Sequence, residues 1–277
     1  MSDSRGRDDV GSILSGAPRG AVLVPPSLEH VVGTATCRCV WQNGLGGLTF
    51  ELAGDPRRFV KWSPVTSGLE LEPEVVRLAW LADRVPVPRV LDHGRDGSGS
   101  WMVTAALPGE NAVAPRWKAA PQVAVREIGR GLRAFHDALP ISSCPFSWSA
   151  AERAADARHR AAAGRLSAAA WHPSHRHLSA ADALALVAHA PDADRLVVCH
   201  GDACAPNTLL DSDGSWSGHV DLGAVGVADR WADLAIATWS TQWNYGPGWE
   251  ALLLDAYGIE LDVRRTAYYR LLWDLGP

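Results

Sequence analysis

Residues Leu196 to Asp233 read LVVCHGDACAPNTLLDSDGSWSGHVDLGAVGVADRWAD. The stretch opens on a short apolar run, Leu196-Val197-Val198-Cys199, with the length and composition of a buried strand. A polar cluster follows at once, His200-Gly201-Asp202, with Asn207 a few residues on. A second run, Trp216 to Val220, leads into Asp221-Leu222-Gly223. The pattern predicts two carboxylates and an amide at the ends of adjacent buried strands, facing a cleft rather than a core.

The spacing narrows the chemistry. Asp202 and Asn207 reproduce the H-x-D-x-x-x-x-N catalytic loop of the protein-kinase fold, and Asp221-Leu222-Gly223 stands where that fold has D-F-G. Phosphoryl transfer needs a carboxylate to accept or orient the proton of the attacking hydroxyl, here Asp202. It also needs hard oxygen ligands for Mg²⁺, here Asn207 and Asp221. Either Asp202 or Asn207 alone would fit a turn cap equally well. Both together, with an Asp-x-Gly after the next strand, favour catalysis.

HGDACAPN, SGHVDLG and GVADRWADLA together resemble the aminoglycoside 3′-phosphotransferases, antibiotic kinases of the protein-kinase-like fold. The resemblance runs from about Cys39 to Asp274 and is weak before Arg38 and between Ser149 and Asp192. It implies an α+β fold of two lobes. An N-terminal lobe, residues 1–107, would carry an antiparallel sheet with one helix and bind nucleotide. A mostly helical lobe, residues 108–277, would hold the catalytic and substrate-binding groups. It further implies ATP and Mg²⁺ as cofactors, and an antibiotic sugar hydroxyl as acceptor, with resistance as the outcome.

Composition agrees with a large globular unit. The chain has 277 residues, 47% of them hydrophobic, which is ample for a core. A net charge of −5 leaves no polybasic footprint, so nucleic acid is not an expected partner. Five cysteines without a repeating framework argue against a disulfide scaffold. No apolar run reaches membrane-spanning length and no signal peptide is apparent, so a cytoplasmic location is expected.

In the first lobe, Met1 to Gly20 reads as a loose polar tail. Strands over 34–42 and 48–52 flank Asn43-Gly44-Leu45-Gly46-Gly47. Placed between strands and ahead of a lysine strand, Gly44, Gly46 and Gly47 resemble the loop that covers ATP phosphates; no Gly-Lys-Ser/Thr follows, so it is not a Walker A loop. Only Lys61 and Lys118 are lysine in a chain otherwise using arginine. Lys61 interrupts the strand Arg58–Trp62, where a compact charge suits the α- and β-phosphates. A helix over 73–84 puts Leu71, Glu74, Leu78 and Leu81 on one stripe, and a buried Glu74 needs a partner such as Lys61. Strands follow at 89–92 and 101–107, and the resemblance assigns Val103, Thr104 and Ala106 to the adenine-binding hinge.

The second lobe begins with a helix over 121–139, whose apolar stripe is Val125, Ile128, Leu132, Phe135 and Leu139. His136 beside it reads as a packed or surface histidine rather than a catalyst. Helices are expected over 149–170, 180–190, 228–240, 249–257 and 263–275. Asp233 matches the aspartate that braces the catalytic loop through backbone hydrogen bonds. Asp274 matches a substrate-binding carboxylate of the last helix. His172, His175 and His177 have no zinc spacing, and Pro173 suggests a turn.

Two departures bear on substrate. Ala224 follows Asp-Leu-Gly where the family commonly has arginine. The region 158–177 is rich in Arg and His where the family carries acids that pair with drug amines. A resistance kinase for a less cationic antibiotic, such as a nucleoside, is therefore an alternative acceptor reading. Choline- or homoserine-type housekeeping kinases share the catalytic loop but not the VDLGxxGVADR run. A catalytically dead kinase acting as a binding module is disfavoured, because every base and Mg²⁺ position is filled.

Overall fold

The computed structural model describes residues 16–276. The first fifteen residues of the expected tail lie outside them. Just inside, Gly16 exchanges two backbone hydrogen bonds with Gln42, of 3.0 and 2.8 Å. The described chain divides into two compact units. One comprises the residues up to Glu72 with Val90–Ala106; the other comprises Pro73–Arg89 with everything from Leu107 onward. Relative to a boundary near residue 107, the segment 73–89 thus groups with the second unit.

The first unit is an antiparallel sheet. Strands β1 (Cys37–Gln42), β2 (Leu48–Leu52), β3 (Arg58–Pro64), β4 (Val90–Arg95) and β5 (Gly99–Ala105) lie in the order β1-β2-β3-β5-β4. Register makes its core: Cys39 faces Phe50, Phe50 faces Val60, and Val60 faces Val103. With period two, these share one face. Leu28 and Val32 pack on that face from a short helical segment that includes α1 (Glu29–Val32), which sequence patterning missed. Lys61, paired with Thr49 and Met102, points to the opposite face.

The second unit is mostly helical: α2 (Glu72–Leu81, whose first residue belongs to the other unit), α3 (Pro115–Lys118), α4 (Pro121–Ala138), α5 (Ala150–Ala162), α6 (Ala180–Val187), α7 (Trp231–Tyr245), α8 (Glu250–Tyr257) and α9 (Val263–Asp274). The α4 stripe is buried as its period requires, from Val125 to Leu139. The helix expected over 149–170 stops at Ala162, two residues before Gly164 enters a left-handed φ of 67°. None of the described helices is long and apolar enough to cross a membrane. All five cysteines are free.

Two small sheets carry the polar stretch, and here the expectation of adjacent strands fails. Strand β7 (Leu196–Cys199) pairs with β10 (Gly226–Asp229), while β9 (Trp216–His219) pairs with β8 (Thr208–Leu210), which pairs with β6 (Glu110–Asn111). The residues Ala228 and Asp229, expected to begin a helix, belong to β10, and α7 starts at Trp231. Cross-strand pairing of Val227 with Val198 and Ala228 with Val197 outweighs local helix propensity there.

Candidate active site

Residues His200 to Asn207 form the turn between β7 and β8, held from below by Asp233 on α7. Oδ2 of Asp233 accepts from His200 N at 2.6 Å, and Oδ1 accepts from Gly201 N at 2.9 Å. The Asp233 side chain is fully buried, and His136 Nε2 lies 3.0 Å from its Oδ2. His136 Nδ1 in turn lies 2.8 Å from the Tyr257 hydroxyl. Burial would raise the Asp233 carboxyl, but the hydrogen bond and charge of His136 outweigh it and hold the group below its ordinary value. Of the two places expected for His136, packed or surface, the structure gives the packed one, with both ring nitrogens bonded. The bracing expected of Asp233 is present in both of its oxygens.

His200 orients the next residue. Its Nε2 donates to the Val220 carbonyl at 3.0 Å, and its Nδ1 accepts from Asp202 N at 3.2 Å. A carbonyl can only accept and an amide N–H can only donate, so His200 is neutral with its proton on Nε2. Gly201 sits at φ 84°, and a Cβ there would lie 2.2 Å from the Ala224 carbonyl oxygen. The turn can only be glycine.

Asp202 is the centre of the arrangement. Asn207 Nδ2 donates to its carbonyl at 2.9 Å and to its Oδ2 at 3.0 Å. Oδ1 is buried and has no hydrogen-bond partner among the described residues. Burial and then the charge of Asp221 push the Asp202 carboxyl above its ordinary value. The Cys204 thiol, also raised well above its ordinary value by burial and by Asp202, is a neutral neighbour. A raised carboxyl with one oxygen fixed and one unpaired suits proton transfer with a bound hydroxyl.

Asp221 is the only non-glycine among the described residues with positive φ, 64°. Such a conformation is held by its surroundings and is common at functional sites. The residues after it are tied to α2: Leu222 N donates to Glu74 Oε1 at 3.2 Å, and Arg77 Nε donates to the Val225 carbonyl at 2.8 Å. Glu74 is buried, as its place on the α2 stripe predicts. The donor chemistry fits a hard divalent cation. Asp221 offers a carboxylate near the Asp202 charge, and Asn207, whose Nδ2 donates to Asp202, keeps its Oδ1 outside that pair.

In the first unit, Asn43 organises the glycine turn. Its Oδ1 accepts from Leu45 N at 3.0 Å and Gly47 N at 2.8 Å, and Gly46 takes φ 87°. A Cβ on Gly47 would collide with the Asn43 side chain, while Gly44 completes the turn between β1 and β2. Val103 is buried in β5, and Thr104 pairs with Phe59 and Val90. The Ala106 amide already donates to the Arg57 carbonyl at 3.0 Å, so only its carbonyl remains for a ligand.

Asp274 is engaged within the protein. Its Oδ2 accepts from His172 N at 3.1 Å and lies 2.6 Å from His175 Nδ1. Sequence reasoning missed three supporting residues. Ser240 Oγ accepts from Ala205 N at 2.9 Å, and Asn244 Nδ2 donates to Ser240 Oγ at 3.1 Å. Their spacing of four on an apolar helix was a readable signal. Arg77, one turn after Glu74 on α2, was another.

The profile of the phosphotransferase enzyme family matches residues 42–270. The chain is 34% identical over 243 residues to the aminoglycoside 3′-phosphotransferase of Streptomyces fradiae, across 82% of this chain and 90% of that one. It is also 34% identical over 251 residues to the streptomycin 3″-kinase of Streptomyces griseus, across 82% of this chain and 87% of that enzyme. The structure of an aminoglycoside phosphotransferase from Streptomyces rimosus, in complex with ADP and streptomycin, shares 30% identity and a TM-score of 0.72, covering 90% of this chain and 95% of that one. The matched span holds the braced loop, its unpaired Asp202 oxygen and the strained Asp221, and the chain belongs to the phosphotransferase enzyme family.

Proposed function

We propose that the protein transfers the γ-phosphoryl group of ATP to a sugar hydroxyl of an aminoglycoside antibiotic, and that this confers resistance. The single observation that carries the reading is the Asp202 carboxylate, with Oδ2 fixed by Asn207 and Oδ1 buried without a hydrogen-bond partner among the described residues. In the reaction the acceptor oxygen forms a bond to the γ-phosphorus while the bond to the bridging oxygen of ADP breaks. The hydroxyl proton passes to Asp202 Oδ1. Its raised affinity for protons matches that task, since a base too acidic would not hold the proton as the bond forms.

Asn207 and Asp221 would hold Mg²⁺, which supplies charge neutralisation on the transferring phosphates when bound. Lys61 would grip the α- and β-phosphates, and the turn Gly44 to Gly47 would cover them. Val103, Thr104 and the Ala106 carbonyl would receive the adenine. Use of ATP and of a small-molecule acceptor supports a cytoplasmic reaction. The named activities of the Streptomyces relatives support the choice of acceptor class.

A coupled assay of ADP release tests the reading. Wild-type protein with Mg²⁺ and ATP should turn over on addition of an aminoglycoside such as kanamycin or streptomycin. No acceptor-dependent ADP release across an aminoglycoside panel would overturn it.

A further inference from the structure

His172 and His175 pack on α7, the helix that also holds the catalytic loop. On α7, Ser240 and Asn244 support the loop of Asp202 through Ala205 N. Trp239 and Trp243 form the neighbouring stripe, their ring centroids 5.2 Å apart. One residue along a helix is a rotation of about 100°. The aromatic stripe therefore adjoins the stripe that carries the catalytic loop. Trp239 is buried, and it carries the His172 ring at 4.3 Å and the His175 ring at 5.7 Å. Trp243 is 46% exposed and presents a flat apolar face.

The acids in this neighbourhood are already paired within the chain. The Asp274 side chain is only 9% exposed, and its Oδ2 is taken by His175 and the His172 amide. Glu250 Oε1 is 3.0 Å from Arg270 Nη2 and also receives the Gln242 amide. The Arg270 guanidinium lies over Trp239 at 5.3 Å. An incoming ammonium would have to displace a cation or a hydrogen-bond donor already in place, and would regain little.

Building on the proposed phosphotransfer, we propose that His175 is a specificity-determining residue of the acceptor site. By occupying Asp274, it makes the site receive a sugar face against Trp243 rather than an ammonium against a carboxylate. Acceptors with few amines are then preferred over amine-rich ones. A sugar face on an indole uses apolar contact and needs no unpaired charge. The Arg- and His-rich character of residues 158–177 acts in the same direction, since it repels polycations.

The test compares wild type, His175→Ala, Asp274→Asn and the double variant, with kanamycin and fully N-acetylated kanamycin as acceptors. In His175→Ala the KM for kanamycin should fall about tenfold, the scale of a partly exposed ion pair gained. The KM for the acetylated sugar and for ATP should stay put. Adding Asp274→Asn should remove the gain. An unchanged or raised kanamycin KM in a His175→Ala protein that melts like wild type would overturn the proposal, as would equal shifts for both acceptors. If wild type phosphorylates no aminoglycoside, the functional reading fails separately. Calorimetric binding of 2-deoxystreptamine then decides the role of His175: tighter binding to His175→Ala than to wild type supports it, and equal binding overturns it.

Discussion

At the scale of single residues, the site rests on a few atoms with one permitted chemistry each. Gly201 cannot gain a side chain, because its Cβ would meet the Ala224 carbonyl oxygen at 2.2 Å in a left-handed backbone. Gly201→Ala should lose nearly all turnover, and circular dichroism would show whether the loop alone or the whole domain yields; a variant with wild-type kcat would contradict the packing. Asp233→Asn replaces one acceptor of a backbone N–H by a donor in a fully buried position. Breaking such a buried pair costs on the order of 3–5 kcal/mol. The sign with pH follows from the depressed carboxyl: its contribution is fully present above the ordinary carboxylate pKa and is lost as pH falls through the lower folded value. Urea titrations at neutral pH should show the full deficit of Asp233→Asn, and titrations near pH 3 a smaller one. The residues Asp202, Asn207, Asp221 and Asp233 were legible in the sequence because their spacing lies within one local stretch. The partner of Asp274 was not, since His175 is 99 positions away and nothing local links the two.

At the scale of elements, α7 is the platform of the site. Asp233 at its start holds His200 and Gly201, and Ser240 two turns later holds Ala205. Ser240→Ala leaves a buried Ala205 N–H unpaired, a loss of about 1–3 kcal/mol. The expected outcome is a lower Tm and a kcat reduced several-fold with little change in ATP KM; an unaltered kcat would show that Asp233 alone sets the loop. Long amphipathic helices such as α4 were readable from their period, as were the Gly turn and the lysine strand. The short strands β6, β8 and β10 were not. A run of two to four residues has too little pattern to separate strand from turn, and β10 is a strand because β7 pairs with it. Likewise β7 and β9, both read as strands from the sequence, belong to different sheets because strand partners are chosen by tertiary packing.

At the scale of the molecule, acid stability is tied to the buried histidine next to the site. His219 is enclosed by the rings of Phe135, His200 and Trp216 at 5.3 to 5.4 Å. Burial, with the His200 ring alongside, pushes its pKa down to about 3. The unfolded chain takes up a proton below about pH 6.5, the folded chain only near 3, so stability falls with decreasing pH across that window by at most about 1.4 kcal/mol per unit. His219→Phe should flatten this slope in thermal melts between pH 6.5 and 4; an unchanged slope would assign the acid sensitivity elsewhere. The whole account, from braced loop to phosphoryl transfer, turns on Asp202. The most direct measurement is kcat for ATP-dependent phosphorylation of an aminoglycoside by wild type and Asp202→Asn, with nucleotide binding measured alongside. The account predicts a kcat lower by about 10²–10⁴-fold with ATP affinity retained. An Asp202→Asn enzyme that phosphorylates the acceptor at the wild-type rate would contradict it.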